Sequence, residues 1–163
     1  MAKLKFKNLG IKIKGFPNKP DKNILESFPN RHPEQLYLVS LVCLEFTAIC
    51  PITDQPDFGK FEIVYVPGKK MVESKSLKLY LFSFRNHGEF HEDVTNRIFK
   101  DLWGLMQPKF MRILGDFNLR GGIAIKPLVQ KFAAGTKSPA EKSILQMLQS
   151  WDSSKNKNSY GPT

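Results

Sequence analysis

The sequence predicts an α+β domain built on a four-stranded antiparallel sheet, with two helices covering one face. Two runs rich in β-branched and aromatic residues precede residue 67, and residues 50–59 between them are too few for a crossover helix. After residue 73 the apolar residues instead recur every three or four positions, which is the period of a helix face. Two more strand-like runs follow the helices. The predicted order is therefore strand, strand, helix, helix, strand, strand.

The four predicted strands are apolar runs that end at turn residues. In chain order they span residues 36–49, 60–66, 109–117 and 122–125. Pro67 and Gly68 end the second run, because proline has no backbone N–H to donate to a sheet. The residues between the first two runs form a loop with two prolines, and residues 23–35 are also expected to be a loop.

Two helices are predicted between the strand pairs, and a third near the end of the chain. The first begins at about Glu73 and is broken at residues 86–88, where Asn, His and Gly follow one another. The second spans about residues 90–106 and stops before Pro108. A short third helix is expected at residues 140–151 and closes the domain.

The chain of 163 residues is predicted to form one domain between two polar ends. Six of the ten net positive charges lie in residues 1–22, where lysines alternate with apolar residues as in an edge strand. We expect a basic, solvated arm at residues 1–22, the domain at 23–152 and a polar, disordered tail at 153–163. Because the rest of the chain has a net charge of only +4, no direct nucleic-acid partner is expected.

The cysteines and the lack of long apolar segments predict a reduced, cytoplasmic protein without a membrane partner. No apolar run is long enough to span a bilayer, and the first residues lack the core of a secretory signal. Cys43 and Cys50 have an odd spacing, which would put them on opposite faces of a regular strand. A disulfide between them is therefore not expected.

Cys50 and Asp57 form the first candidate site. Cys50 directly follows the first predicted strand, and Pro51 cannot continue the hydrogen-bonded ladder. The thiol is therefore expected at the mouth of a strand, with Asp57 in the same loop, where scaffolds often present reactive groups. The alternatives are an inert, buried cysteine and an aspartate that only shapes the turn before Gly59.

Three further groups of polar residues have both a functional and a purely structural interpretation. Lys75 and Lys78 project from one helix face, where they would bind a phosphate or simply be solvated. Arg120 precedes two glycines, which suits an anion site or a surface turn. His91 and Glu92 lie in a first helical turn, where the carboxylate would favour the helix dipole alone.

Zinc ligation has only a weak pattern. Cys50, His87 and His91 would supply three ligands and leave one position for water. Gly88 interrupts the helix that would place both histidines on one face, and no second cysteine or histidine accompanies Cys50 in its loop. No metal site is therefore predicted.

Three segments resemble the NADPH-dependent nitrile reductases of queuosine biosynthesis, the 7-cyano-7-deazaguanine reductases, in their short single-module form. They are Cys50-Pro-Ile-Thr-Asp-Gln-Pro-Asp-Phe-Gly59, Glu73-Ser-Lys-Ser-Leu-Lys-Leu-Tyr80 and Phe84-Arg-Asn-His-Gly-Glu-Phe-His-Glu-Asp93. The similarity covers about residues 36–137 and includes Arg120-Gly121-Gly122. The Glu-Ser-Lys-Ser-x-Lys run separates these reductases from the zinc-dependent GTP cyclohydrolases of similar fold.

The resemblance implies a tunnelling fold, in which subunits form rings with substrate pockets at their interfaces; a homo-oligomer of two stacked pentamers is the family's assembly. It also implies that NADPH reduces the nitrile of a deazapurine, 7-cyano-7-deazaguanine, to an aminomethyl group. Cys50 matches the nucleophile and Asp57 the proton donor. The substrate-binding residues it implies are Glu73, Ser74, His91 and Glu92. The matched NADPH-binding residues are Lys75, Ser76 and Lys78; Arg120 is separately predicted to bind a cofactor phosphate.

Two other classes of function stay open on the sequence. A zinc-dependent cyclohydrolase would share the fold and contain near-stoichiometric zinc. A non-catalytic, basic RNA-binding protein would bind RNA in a salt-sensitive way that survives deletion of residues 1–22.

Overall fold

The structure is a computed structural model that describes residue 17, residues 19–136 and residues 138–157. For residues 156 and 157 it describes the backbone only. The strands are β1 Ser27–Pro29, β2 Val39–Ile49, β3 Pro56–Val66, β4 Lys70–Val72, β5 Phe110–Phe117 and β6 Leu128–Phe132. The α-helices are α1 Ser74–Phe82, α2 His91–Met106 and α3 Ser138–Lys157. The predicted α+β order is confirmed, with two short strands added. None of the helices described here has the length and apolarity needed to cross a membrane.

The main sheet has four antiparallel strands in the order β2-β3-β5-β6, as predicted. The fourth strand, however, was predicted at residues 122–125 and lies at Leu128–Phe132, where it pairs with Phe110–Leu114. The predicted position is wrong because residues 120–123 form a tight turn of their own. The second strand is longer than predicted: β3 begins at Pro56, so the loop between the first two strands is only residues 50–55.

Strand β2 contains a bulge that changes which residues face the core. Its register to β3 shifts between Cys43 and Phe46. Leu41 and Cys43 contact the core before the bulge, and Phe46 and Ala48 are buried in the same core after it. The inserted residue moves the alternation by one position, so the odd spacing does not put Cys43 and Cys50 on opposite faces. Both cysteines are free.

The helices cover both faces of the sheet. α1 and α2 pack on the larger core cluster, in which Phe61, Ile63 and Tyr65 are the β3 members. The alternate β3 residues Val64 and Val66 face the other side, where α3 covers them. At this end the domain therefore has three layers, with the sheet between α3 and the helix pair. The helix pair lies on one face of the sheet, as predicted.

Helix α3 is longer than the sequence predicted, because charged residues in its last turns bind the sheet. Arg112 donates two hydrogen bonds, of 2.8 and 2.7 Å, to the Asp152 carboxylate. Lys155 forms an ion pair with Glu62. The helix was expected to end at residue 151 and the disordered tail to begin at 153, but residues 153–157 are helical. Residues 158–163 lie outside the described part.

The segment at residues 23–35, predicted to be a loop, contains β1, which pairs with β4 in a two-stranded sheet. The buried Asn30 side chain fastens its end: its amide donates to the Gly68 carbonyl, and its oxygen accepts from Tyr37. Pro20 is buried, and its carbonyl accepts a 3.1 Å hydrogen bond from Arg97 of α2. The predicted edge strand in the basic arm falls on residues 1–16, outside the described residues.

Candidate active site

The loop after β2 holds Cys50 in a closed turn. The Cys50 N–H donates to the Gln55 carbonyl at 2.9 Å, and the Asp54 N–H donates back to the Cys50 carbonyl at 3.1 Å. Asp54 has a φ of 53°, a left-handed conformation that Asp tolerates better than most residues. These bonds, together with Pro51 and Pro56 at the two ends, fix the backbone that presents the thiol.

The surroundings of Cys50 favour its thiolate. Its pKa is lowered to about 7, first by a hydrogen bond from the Thr53 side chain, then by the Ile52 N–H and by the Arg120 guanidinium. The thiol is half-buried at the end of the strand. At neutral pH the thiolate, which is the nucleophilic form, is therefore far more populated at Cys50 than in an ordinary cysteine.

Asp57 lies beside this loop, on strand β3 rather than in the loop as predicted. It is the second residue of β3 and pairs with Ala48, so the backbone of two neighbouring strands sets its position relative to Cys50. Its side chain is only 3% exposed. Oδ1 accepts a 2.6 Å hydrogen bond from Arg120, and Oδ2 lies 3.1 Å from Nε2 of His91.

His91 is the first residue of α2 and contacts the carboxylate oxygen of Asp57 that Arg120 does not bind. Its ring stacks on Phe117 with 3.9 Å between centroids, and the residue is 7% exposed. Although Nε2 is within ion-pair distance of Asp57, the ring N–H is not aligned for a hydrogen bond with any described group. The 3.1 Å between Nε2 and Oδ2 is a hydrogen-bond distance, and the tautomer of the ring decides whether Nε2 has the proton for it.

The segment before α2 fixes His91 next to Cys50. Gly88 forms a parallel bridge with Ile49, through bonds of the Ile49 N–H to His87 and the Glu89 N–H to Ile49. A Cβ on Gly88 would lie 3.5 Å from Pro51, so this segment packs directly on the loop that follows Cys50. Glu92 follows His91 in the first turn of α2 and is exposed.

The Arg120 side chain lies in the same site as Asp57 and the loop that presents Cys50. One guanidinium nitrogen contacts Asp57, and the other donates 3.0 Å hydrogen bonds to both Thr53 and Gln55. The pKa of Arg120 is raised, chiefly by its hydrogen bond with Cys50. The structure thus gathers Cys50, Asp57 and Arg120 into one cluster, which the sequence interpretation of Arg120 did not anticipate.

The predicted residues of α1 form a second group. The buried carboxylate of Glu73 caps this helix and accepts hydrogen bonds from the N–H groups of Lys75 at 2.8 Å and Ser76 at 2.7 Å. The Ser76 hydroxyl is fully buried and bonds the Glu26 N–H and the Glu73 carbonyl. The Glu73 carboxylate and the Ser76 hydroxyl are therefore both hydrogen-bonded within the domain.

The exposed members of this second group, Ser74 and Lys78, line a groove of about 610 Å³ between α1 and the edge strand β2. It is the C-terminal end of α1 that continues toward the segment paired with Ile49. A nine-residue helix is about 13 Å long, so Glu73 and Cys50 are held at opposite ends of this layer.

The structure brings no metal site together from the residues considered for zinc. Among the described residues, no group of three or more His, Cys, Asp or Glu side chains has a metal-binding arrangement. His87 instead contacts Glu89 and Arg97, each at 3.2 Å.

The chain matches known proteins over most of its length. A family model described as QueF-like protein matches residues 56–136. Relatives named NADPH-dependent 7-cyano-7-deazaguanine reductase are 54% identical over 132 residues in Neisseria meningitidis and 61% identical over 109 residues in Helicobacter acinonychis. These alignments cover 81% and 67% of this chain, and 84% and 74% of the relatives. The chain belongs to the 7-cyano-7-deazaguanine reductase family.

A solved structure agrees with the fold of this chain. The archaeosine synthase QueF-Like in its apo form superposes with a TM-score of 0.54 and covers 61% of this chain and 96% of that one. At 17% sequence identity the likeness concerns the fold alone. The predicted tunnelling fold is confirmed by the family and by this neighbour.

Proposed function

We propose that this chain reduces the nitrile of 7-cyano-7-deazaguanine to the aminomethyl group of 7-aminomethyl-7-deazaguanine, with NADPH, in the biosynthesis of queuosine in tRNA. One observation supports the site assignment above all: Arg120 joins the buried carboxyl of Asp57 to the loop that presents Cys50, whose thiol has a pKa of about 7. This pair occurs in a chain that is 54–61% identical to reductases of that name. Both groups have the chemistry that addition to a nitrile requires.

Cys50 supplies the nucleophile. Its thiolate adds to the nitrile carbon, so that a C–S bond forms, one C–N π bond breaks and the electron pair moves to nitrogen. The product is a thioimidate on Cys50, whose C=N bond is a better hydride acceptor than the nitrile. Cys50 must later leave again as a thiolate, and a thiol of low pKa is the better leaving group.

Asp57 supplies the proton that the nitrogen needs as it gains the electron pair. Its carboxyl O–H bond breaks and the proton moves to nitrogen, which leaves a carboxylate. Burial keeps bulk water from competing for this step. His91, with Nε2 3.1 Å from Asp57, is placed to return a proton to the carboxylate afterwards.

The substrate-binding carboxylates divide between the two groups of residues. We propose that Glu92, on the same turn as His91, accepts N–H donors from the amino-pyrimidinone edge of the base bound at Cys50 of its own chain. Glu73 and Ser74 lie at the far end of α1 and would reach a base only in a neighbouring subunit's pocket. This separation supports a homo-oligomer, and we propose the family's two stacked pentamers.

The groove beside α1 has basic and apolar side chains of the kinds that NADPH needs for its phosphates and rings. NADPH, when bound, supplies the hydrides. The N–H groups of the first helical turn are occupied by Glu73, so the ammonium groups of Lys75 and Lys78 would hold the phosphates. Exposed Val42 and Leu44 of β2 offer apolar surface for the rings. NADPH and a reduced Cys50 both suit the cytoplasm, where we place the reaction.

The proposal is tested by incubating the protein with 7-cyano-7-deazaguanine and following NADPH oxidation by absorbance. We expect two NADPH consumed per aminomethyl product. Lys78→Ala should raise the KM for NADPH, whereas Lys142→Ala, which removes an equal charge from exposed α3, should not. Folded protein that neither consumes NADPH nor forms an adduct would contradict the function, and an active monomer in sedimentation would contradict the assembly.

A further inference from the structure

Arg120 stands at the start of a two-residue hairpin turn beyond the end of β5. Its N–H and carbonyl both bond Ile123, at 3.1 and 3.0 Å, and the two glycines between them have φ values of 55° and 79°. This left-handed geometry is unstrained only for glycine. Leu119 and Ile123 are 70% and 65% exposed, so apolar packing does little to fix the tip. The guanidinium contacts are what tie the tip to the loop at residues 50–55.

The guanidinium of Arg120 connects Asp57 to the loop that presents Cys50. Its rigid fork places one nitrogen 2.6 Å from Oδ1 of Asp57, while the other bonds Thr53 and Gln55 of the loop that presents Cys50. The positive charge of Arg120 also acts on the thiol: it lowers the pKa of Cys50, and Cys50 in turn raises the pKa of Arg120. One positive charge is therefore held between the carboxyl of the proton donor and the loop that presents the nucleophile.

The other titratable groups near the thiol do not duplicate this cation. From the loop, from the segment paired with Ile49 and from α2, they are Asp54, His87, Glu89 and His91. Arg97, which contacts His87 of the segment paired with Ile49, is already bonded to Glu89 and to the Pro20 carbonyl. Within the described residues, Arg120 is the only arginine or lysine with a contact to Asp57.

We propose that Arg120 balances a negative charge that moves from the Cys50 sulfur to the Asp57 carboxylate as the nitrile adds. Before addition the charge is on the thiolate; the C–S bond then neutralises the sulfur, and loss of the proton to nitrogen leaves Asp57 negative. The site keeps one negative charge throughout, and the Arg120 guanidinium contacts both Asp57 and the loop that presents the thiolate. A cation fixed in this way needs no reorganisation during the step.

The first test measures the ionisation of Cys50 in the protein alone, without nitrile or NADPH. The rate of alkylation by iodoacetamide is recorded against pH in a Cys43→Ser background, so that only Cys50 reacts. Arg120→Ala should raise the midpoint by about one pH unit, because an opposite charge is lost beside the thiolate. Arg120→Lys, which keeps the charge but not the fork, should lie between. The matched control is Arg112→Ala, whose arginine binds Asp152 on the other face of the sheet and should leave the midpoint unchanged.

The second test measures adduct formation with 7-cyano-7-deazaguanine in the absence of NADPH, by intact-protein mass spectrometry. All variants are compared at pH 7, and each rate is divided by the thiolate fraction that the alkylation titration of that variant gives at this pH. Arg120→Ala should still form the adduct about tenfold more slowly, since the carboxylate left on Asp57 has lost its partner. This arm rests on the proposed function.

The outcomes separate the two proposals. An unchanged midpoint in Arg120→Ala, or an equal shift in Arg112→Ala, would overturn the role of Arg120 on the thiolate. Equal adduct rates per thiolate in the wild type and in Arg120→Ala would overturn the charge transfer. Wild-type protein that forms no adduct would overturn the proposed function and the transfer with it, while the alkylation titration still decides the first role. If Arg120→Ala melts below the assay temperature, Arg120→Gln takes its place.

Discussion

Replacing Glu73 by alanine is expected to lower the free energy of unfolding by about 2 kcal/mol. The carboxylate is 7% exposed and accepts two short hydrogen bonds from the N–H groups of Lys75 and Ser76. Loss of a helix N-cap costs about 0.5–2 kcal/mol, and the upper end applies here because two donors are left without a partner inside the domain. In a domain of this size such a loss corresponds to a fall in Tm of about 4–8 °C.

Urea unfolding followed by circular dichroism measures this loss, with Glu92→Ala as the control. Glu92 is exposed in the first turn of α2, so its removal costs only a helix-dipole interaction, about 0.3–1 kcal/mol. If both carboxylates also bind the base, both variants will raise the KM for the nitrile, yet only Glu73→Ala will be clearly destabilised. Equal stability of the two variants would refute the capping argument and leave Glu73 as a binding residue only.

Further predictions concern the reacting pair and the core. Cys50→Ala should form no adduct and turn over nothing in the NADPH assay, whereas Cys43→Ser should keep most of its activity. The alkylation rate of Cys50 should rise between about pH 6 and 8, because its lowered pKa means that the thiolate appears in this range; a rise only above pH 8 would contradict the hydrogen bonds assigned to it. Asp57→Asn should reduce turnover about a hundredfold or more at an unchanged Tm. In urea unfolding, Gly115→Ala should lower the free energy of unfolding by about 1–3 kcal/mol, since its Cβ would meet side-chain atoms at 2.9–3.0 Å. Gly104→Ala, at an exposed position of α2, should raise it by up to about 1 kcal/mol.

The order and type of the long elements could be predicted because each has a strong local period. The fourth strand could not. Residues 122–125 have strand-like composition, but the glycines before them take positive φ and close a two-residue turn. The strand forms instead at Leu128–Phe132, where the register with Phe110–Leu114 is available. That register is a long-range property, and local propensity does not contain it.

The bulge in β2 shows how one inserted residue reverses an inference from spacing. A strict alternation puts Cys43 and Cys50 on opposite faces, but the register shift before Phe46 moves the later residues by one. The side-chain pattern Leu44-Glu45-Phe46 offers no clear sign of this shift. Sequence spacing is therefore a poor guide to facing across an irregular strand.

Cys50 and Asp57 could be chosen as candidates from the sequence, but their arrangement in space could not be predicted. The interpretation placed both residues in one loop, whereas Asp57 is held on β3 opposite Ala48. Arg120 is 63 residues from Asp57 in the chain, and no spacing rule connects them. The polar Thr53 and Gln55 between two prolines were the available signal that the loop binds something charged.

Helix α3 has a consequence for the way the protein is made. Val64, Val66 and Phe110 are covered by Ile144 and Leu148, which the ribosome adds only after all strands of the sheet. At a synthesis rate of about 5–20 residues per second, the nascent sheet carries this uncovered apolar strip for about a second or more. The interval is a window for aggregation and for capture by chaperones, and it closes when Arg112 and Glu62 acquire their partners on the finished helix.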